Sequence, residues 1–369
     1  MITLAELTTL HVGGPAARLV EATTRDELID ASRKAWEDHD WLVLGGGSNL
    51  LVADEGIDGT VVRVLSRGIE RLPDVDGPRS IRLRVQAGEP WDGLVAMAVA
   101  EGWAGIEALS GIPGSVGAAP VQNIGAYGQE LADTLVGIDF LDYASGEVVT
   151  VTAEGLGLGY RTSTLKRGRA GVVLSVDLAL EAPTASGPLS RPIDYAPLSD
   201  ALGVSIGTRV VLTDARSAVL GLRAGKGMLL DSADPDARSA GSFFTNPIVT
   251  EHFARGLPRS APRWPTTPEV DARVLPLGSP VDSLARPASG EYLVKLSAAW
   301  LIEAAGIRRG FSLPGSRAGI SSKHTLAIVT RGGATATEVV QLATYVQTRV
   351  LSEFGVALQP EPVLVGVSL

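Results

Sequence analysis

The chain has 369 residues, 45% of them hydrophobic, and a formal net charge of −9, so we expect a globular protein of two or three domains. The negative charge argues against a general nucleic-acid or anionic-membrane surface, and the absence of cysteine excludes disulfides, thiolate chemistry and cysteine-based metal sites. The four histidines show no metal-ligand spacing, and the apolar runs are far shorter than a membrane span of about 20 residues. We therefore expect a soluble cytoplasmic protein with no metal site.

The first part of the chain predicts short strands around one helix. Thr24 and the acidic residues that follow it are typical of a helix start, and the helix is predicted to continue over 28–36. Residues 61–64 and 81–85 predict strands, the second from strict alternation of apolar and polar residues. A second helix is predicted over 92–101.

The remainder of the chain mixes strands and helices without strict alternation, which favours an α+β fold over a doubly wound sheet. Residues 136–151 predict a hairpin, and 181–197, rich in proline and serine, indicate a domain boundary or a mobile loop. Residues 251–289 hold many prolines and few periodic apolar residues, so we interpret them as a long surface insertion. Other ordered patterns are predicted at 172–180, 213–225, 296–303, 337–354 and 363–367.

Two glycine-rich loops are the main functional signal. The first is GGGSNLLV, residues 45–52, and the second is SGIPGSVGAAPVQNIGAYG, residues 110–128. Glycine lets the backbone approach a ligand closely and aim several N–H donors at one anion. The first loop alone is equally compatible with a tight hairpin, whereas a Rossmann site is disfavoured because no helix follows directly.

Taken together, the two loops resemble the FAD-binding fold of the vanillyl-alcohol oxidase and para-cresol methylhydroxylase type of flavoprotein. The resemblance implies that a diphosphate threads between two α+β subdomains. Covalent flavin attachment in that group uses histidine or cysteine. The chain has no cysteine, and His11 is distant from both loops in sequence, so we expect non-covalent FAD.

Three later motifs extend the resemblance over almost the whole chain. They are YRTSTLK at 160–166, GSFFTNP at 241–247 and QPEP at 359–362. In this order, and with both glycine loops, the chain resembles the UDP-N-acetylenolpyruvoylglucosamine reductase (MurB) family of bacterial peptidoglycan synthesis, in the subtype with a substrate-covering tyrosine. The resemblance implies NADPH-dependent reduction of UDP-N-acetylglucosamine enolpyruvate to UDP-N-acetylmuramate through FAD.

The resemblance also assigns the chemistry to three residues. Arg161 would neutralise the charge that develops beside the substrate carboxylate, with Glu361 as its partner, and Ser242 would donate a proton to the neighbouring carbon. Taken singly, each is better explained as a surface or turn residue, and only the order of the family's motifs reverses that judgement.

Binding residues are implied in the same way. The FAD contacts would be Gly45, Gly46, Gly47, Ser48, Asn49, Leu50, Gly111, Gly114, Ser115, Gly117, Ala118, Asn123, Gly125, Ala126 and Val173. The substrate contacts would be Tyr195, Lys226, Asn246 and His324.

The implied organisation has three domains and a monomeric chain. Residues 1–65 would form the first FAD-binding subdomain, to which a strand at 362–369 returns, and 66–222 the second, with a tyrosine loop near 190–200. Residues 223–361 would bind the substrate. A flavin oxidase of the same fold and a nucleotide-sugar binding protein without turnover are the alternatives, and the proton donor argues against the latter.

Overall fold

The computed structural model describes residues 2–73, 80–266 and 292–369, and these residues form an α+β structure. Within these ranges no helix is long and apolar enough to cross a membrane. The apolar side chains gather into several clusters. Two of them lie mainly in the C-terminal part and in the middle part of the chain, and another, which contains Val62 and Leu174, joins the N-terminal part to the middle part.

The N-terminal part is a parallel three-stranded sheet with one helix. Its elements are β1 (Ala16–Ala22), α1 (Arg25–Ala35), β2 (Trp41–Leu44), β3 (Leu50–Val52) and β4 (Ile57–Val64). The sheet order is β1-β4-β2, and Thr24 begins α1 with a capping box to Glu27. Leu28 and Ala31 of α1 pack on Val62 and Val64 of β4.

The first glycine loop connects β2 to β3, which lie in different sheets. While β2 pairs with β4, β3 pairs in parallel with β18 (Val363–Val365) from the end of the chain. The hairpin alternative for this loop is therefore wrong. The loop instead lies where the two ends of the chain meet.

The middle part is built on a five-stranded antiparallel sheet of order β10-β9-β11-β6-β5. Its elements are β5 (Ile69–Leu72), β6 (Ser80–Gln86), α2 (Trp91–Ala100), β7 (Gly125–Ala126), β8 (Gln129–Glu130), β9 (Leu135–Asp142), β10 (Val148–Thr152), β11 (Gly171–Glu181), α3 (Ala196–Leu202) and α4 (Leu212–Ala224). The predicted hairpin is present as β9 and β10. The middle part also contains short 3-10 segments, including Val116–Gln122 in the second glycine loop.

The C-terminal part has two three-stranded sheets, β12-β17-β16 and β13-β15-β14, packed with helices. Its elements are β12 (Ser239–Ser242), β13 (Ile248–Thr250), α5 (Glu251–Arg255), β14 (Arg263–Thr266), β15 (Leu293–Leu296), α6 (Ala298–Ala304), β16 (Ala318–Ile320), β17 (Ala327–Thr330) and α7 (Ala336–Phe354).

The surface insertion predicted at 251–289 is wrong in its first part. Residues 251–266 form α5 and β14, and Ala254, Leu257 and Ala261 are buried in the core of the C-terminal part. The prolines misled the prediction because a short edge strand such as β14 tolerates proline. Residues 267–289 lie outside the described residues.

Candidate active site

The two glycine loops form one wall each of a cleft that encloses about 340 Å³. The end of β12 and the segment before β18 complete it. Of the residues predicted from the sequence, those that line this cleft are Gly45, Gly46, Gly47, Ser48, Asn49, Leu50, Gly114, Ser115, Ala118, Gly125, Arg161, Ser242 and Glu361.

The glycines allow the loops to touch across the cleft. A Cβ added to Gly46 would lie 2.6 Å from the Cα of Gly114, and one on Gly45 would meet the hydroxyl of Ser115. The Ser48 hydroxyl also donates to the carbonyl of Pro113 at 3.0 Å. Such an approach is possible only without side chains at these glycines.

The loops also present backbone donors. Over the described ranges, the N–H groups of Gly46, Gly47 and Ser48 have no protein acceptor, and neither have those of Gly114 and Ser115. Backbone donors are normally paired, and several converging ones form a site for an anion. The two loops therefore fit the diphosphate of a dinucleotide cofactor.

Arg161 is held beside this cleft by its own backbone conformation and by main-chain acceptors. Its φ of +54° lies in the left-handed region, which non-glycine residues rarely occupy. Two guanidinium nitrogens donate to the carbonyls of Asn123 and Gly125, and Nε lies 3.6 Å from Oε1 of Glu361. The cation is thereby fixed in direction, and strain of this kind is typical of functional positions.

Glu361 is bonded through both its main chain and its side chain. Its N–H donates to the carbonyl of Phe243 at 2.9 Å, and its own carbonyl accepts from Lys166 Nζ at 3.1 Å. Its side chain is only 15% exposed. Burial raises the pKa of Glu361 above that of an ordinary glutamate, although Arg161 and Lys166 oppose the shift. The carboxyl group is thus suited to carry a proton.

Ser242 occupies the end of β12 and faces the cleft. The following residues, Phe243 and Phe244, are buried and pack edge to face at 5.2 Å, which fixes the strand end. No group among residues 2–73, 80–266 and 292–369 hydrogen-bonds the Ser242 hydroxyl. The hydroxyl is therefore available to a bound molecule.

Three of the four predicted substrate residues, Tyr195, Lys226 and His324, lie together but outside the lining of the cleft. Tyr127 lies between the first two, because its ring is 5.7 Å from Lys226 Nζ and 5.8 Å from the ring of Tyr195. Burial, with Lys226 and Arg223 nearby, lowers the pKa of His324 to about 4. His324 Nδ1 accepts from the N–H of Leu326 at 3.0 Å, so its neutral form is the one held here.

The fourth predicted substrate residue, Asn246, precedes β13 in the chain, and its side chain contacts the start of α6. Its side-chain oxygen accepts from the N–H of Ala298 at 3.0 Å, and the residue also contacts Tyr160. The amide oxygen and the amide nitrogen of Asn246 therefore both have protein partners.

Five predicted cofactor residues do not line the cleft, namely Gly111, Gly117, Asn123, Ala126 and Val173. The Asn123 amide is consumed internally: it donates to Glu130 and Gly159 and accepts from the N–H of Ala132. Val173 packs in the core of the middle part. Their roles as cofactor contacts stay predictions.

Sequence reasoning missed Gln122, Lys166 and Arg223. Gln122 hydrogen-bonds Glu361, Lys166 supports it, and Arg223 lines the cleft although it is only 5% exposed. A signal for Arg223 was present, because it lies four residues after Val219 and therefore on the same face of α4, and both residues are buried. Gln122 and Lys166 stood inside quoted motifs, but their residue types alone did not indicate a partner.

Comparison with known proteins places two family models on the chain. The model described as the C-terminal domain of UDP-N-acetylenolpyruvoylglucosamine reductase matches residues 234–365, and an FAD-binding domain model matches 16–152. These ranges contain Ser242 and Glu361 in the first case and both glycine loops in the second.

Similar proteins cover the whole chain. A reductase of the same description from Leifsonia xyli subsp. xyli is 61% identical over 99% of this chain and 98% of its own length. One from Thermobifida fusca is 48% identical over 100% and 98%. A crystal structure of the enzyme from Thermus caldophilus matches with a TM-score of 0.62 and 29% identity, over 99% of this chain and 97% of that one.

Proposed function

This chain belongs to the UDP-N-acetylenolpyruvoylglucosamine reductase family, and on that premise we propose that the cleft between its glycine loops is the active site. The chain is an FAD-dependent oxidoreductase that reduces UDP-N-acetylglucosamine enolpyruvate to UDP-N-acetylmuramate with NADPH, a step of bacterial peptidoglycan synthesis. The observation that carries the site assignment is that Arg161, Ser242 and Glu361 meet in the cleft whose walls fit a dinucleotide.

The glycine loops hold FAD without a covalent bond. The N–H groups of 46–48 and of 114–115, which have no acceptor among the described residues, would bind its diphosphate, and the absence of cysteine leaves no thiol for attachment. FAD held there would supply the redox chemistry, namely hydride transfer from NADPH to the enol ether.

The side chains of the cleft handle the charge and the proton. Arg161 stays cationic and is fixed by its main-chain acceptors, so it stabilises negative charge on the substrate carboxylate without reorganising. Glu361, with its raised pKa, holds a proton for the same group. Ser242 donates a proton to the adjacent carbon, for which its unpaired hydroxyl is suited.

The cluster around Tyr127 receives the nucleotide part of the substrate. Lys226 is the cation for the diphosphate, with neutral His324 and Asn246 as hydrogen-bonding neighbours. Tyr195, half-exposed at the N-terminal end of α3, covers the bound substrate.

The domain boundaries proposed are 1–65 and 66–222 for the FAD-binding subdomains and 223–361 for the substrate domain. The buried cluster around Leu94 lies within 66–222 and the one around Leu4 lies within 1–65, which supports the division, as does the pairing of β18 with β3. We place the enzyme in the cytoplasm, where NADPH and nucleotide sugars are found, as a monomer. A net charge of −9 argues against a nucleic-acid partner.

A two-step flavin assay tests the site. The purified yellow protein is bleached with NADPH in the absence of oxygen and then mixed with UDP-N-acetylglucosamine enolpyruvate, and the return of flavin colour is followed by stopped flow. For Ser242→Ala we expect normal bleaching and a return of colour about 10²–10⁴-fold slower, because only the proton to carbon is lost.

Ser186→Ala is the matched control, since Ser186 is exposed in a turn and does not line the cleft, and it should behave like the unaltered protein. Equal slowing of both steps in Ser242→Ala would contradict the role assigned to Ser242. Rapid reoxidation by air without a response to the sugar would instead indicate the flavin oxidase.

A further inference from the structure

Two side-chain amides form a chain from the first glycine loop to the acid of the cleft. Asn49 Nδ2 donates to Gln122 Oε1 at 2.6 Å, and Gln122 Nε2 donates to Glu361 Oε1 at 3.3 Å. Asn49 and Gln122 both line the cleft. Gln122 stands 239 residues from Glu361 in the sequence, so this contact exists only in the folded chain.

The direction of both amides is determined by a main-chain acceptor. Asn49 Nδ2 also lies 3.3 Å from the carbonyl oxygen of Glu361, and a carbonyl can only accept. If the Asn49 amide were turned over, its Oδ1 would face the carbonyl oxygen of Glu361 and also Oε1 of Gln122. Both contacts would then place two oxygens against each other. Because Asn49 must present its nitrogen, Gln122 must accept with Oε1 and donate with Nε2.

This orientation distinguishes the two oxygens of Glu361. Oε1 faces two donors, Gln122 Nε2 at 3.3 Å and Arg161 Nε at 3.6 Å. An oxygen that carries a proton is a poor acceptor and would oppose these N–H groups. In the protonated carboxyl group the hydrogen therefore belongs on Oε2.

We propose that Gln122, oriented by Asn49, is a positioning residue that holds Oε1 of Glu361 as an acceptor and leaves Oε2 as the oxygen that bears the proton. The inference rests on the proposed function of Glu361. It also links the loop that holds the cofactor to the acid, since Asn49 belongs to the first glycine loop. Gln122 itself transfers no proton.

The test compares Gln122→Met with the unaltered holoenzyme in the two half-reactions. Methionine keeps the length of the side chain and removes both polar atoms. We expect bleaching by NADPH to be unchanged and the return of colour with the enolpyruvyl sugar to be about 10- to 100-fold slower, the loss typical of one hydrogen bond to an ionisable group. Gln359→Met, an exposed glutamine two residues before Glu361, is the control and should match the unaltered enzyme.

The pH profile separates positioning from a merely structural role. The Gln122 hydrogen bond lowers the pKa of Glu361, so its removal should move the alkaline limb of the second half-reaction to higher pH. In a Glu361→Gln background, Gln122→Met should cause no further slowing, because the group it positions is gone.

An unmoved alkaline limb, or slowing that simply adds in the double variant, would overturn the proposal. If Gln122→Met does not take up flavin, Gln122→Glu, which has the same shape, replaces it. Two carboxyl groups at this distance would share a proton and shift the limb upward, and an unchanged limb would refute the contact. Failure of the unaltered enzyme to respond to the sugar would refute the proposed function instead.

Discussion

Replacing Asp54 by alanine removes one carboxylate that joins the N-terminal part of the chain to α7. Its Oδ1 accepts from the N–H of Ala336 at 2.6 Å, and its Oδ2 accepts from the N–H and hydroxyl of Thr337 at 2.9 and 2.7 Å. These groups begin a helix of 19 residues whose buried face belongs to the core of the C-terminal part. The residues involved are 282 positions apart.

The magnitude follows from which donors lose access to water. Ala336 is only 1% exposed, so its N–H would be left buried without an acceptor, at a cost of about 1–3 kcal/mol. Thr337 is exposed, and water would replace most of its two bonds, which leaves about 0.5 kcal/mol. Loss of a negative charge at the helix N-terminus adds about 0.3–1 kcal/mol. We expect Asp54→Ala to lower the free energy of unfolding by about 2–4 kcal/mol at pH 7.

Urea unfolding at several pH values measures this effect. Partial burial alone would raise the pKa of Asp54, but the bonds from Thr337 and Ala336 outweigh it and lower the pKa. A depressed carboxyl pKa contributes stability above the unfolded value of about 3.9, which is lost as pH falls through the folded value. The difference from the unaltered protein should therefore be full at pH 7 and smaller at pH 3. Equal stability at pH 7, or a difference as large for the exposed neighbour in Glu55→Ala, would refute the reasoning.

Two further predictions concern the cleft. Gly46→Ala should abolish flavin uptake, because its Cβ would lie 2.6 Å from Gly114 Cα, and the protein should be purified colourless. The control is Gly221→Ala in α4, where an added Cβ would have nothing within 4 Å. This variant should keep its flavin, and its free energy of unfolding should be about 0.5–1 kcal/mol higher. Glu361→Gln should slow the sugar half-reaction about 10²–10⁴-fold while raising the melting temperature at pH 8, measured by stopped flow and calorimetry.

Local elements could be predicted from the sequence because their signals are local. The box around Thr24, the alternation at 81–85 and the hairpin near 144–146 each depend on neighbouring residues, and each element is present as α1, β6 and the β9–β10 pair. Prolines were misleading between 251 and 266, since an edge strand does not need every N–H.

The composition of the site could be predicted only through resemblance, and its connections could not be predicted at all. Glu361 reaches the cleft because β18 pairs with β3, a contact between the two ends of the chain with no local signal in either strand. Lys166 and Gln122 are ordinary polar residues until this pairing brings the Glu361 carbonyl and carboxylate to them. The pairing of distant strands, rather than their residue types, therefore determines that Lys166 and Gln122 contact Glu361.

The pKa values of the Asp54 and Glu361 carboxyl groups are shifted in opposite directions because their surroundings differ. Asp54 faces donors that favour its charge, whereas burial dominates at Glu361 and raises its pKa. The folded chain therefore keeps the Glu361 proton to a higher pH than the unfolded chain, which releases it near pH 4.3 on average, about the ordinary glutamate value. The free energy of unfolding must therefore fall as pH rises from the unfolded-state pKa of Glu361 through its folded-state pKa, and it stays lower above that pH.

Glu361→Gln removes that dependence, so its gain in stability should be absent at pH 4 and should grow as pH rises toward 8. The main-chain bonds of Glu361 to Phe243 and Lys166 do not involve its carboxyl group, so they hold the backbone of the residue in place in both protonation states. A gain of equal size at both pH values would mean that packing, not ionisation, limits stability at this residue.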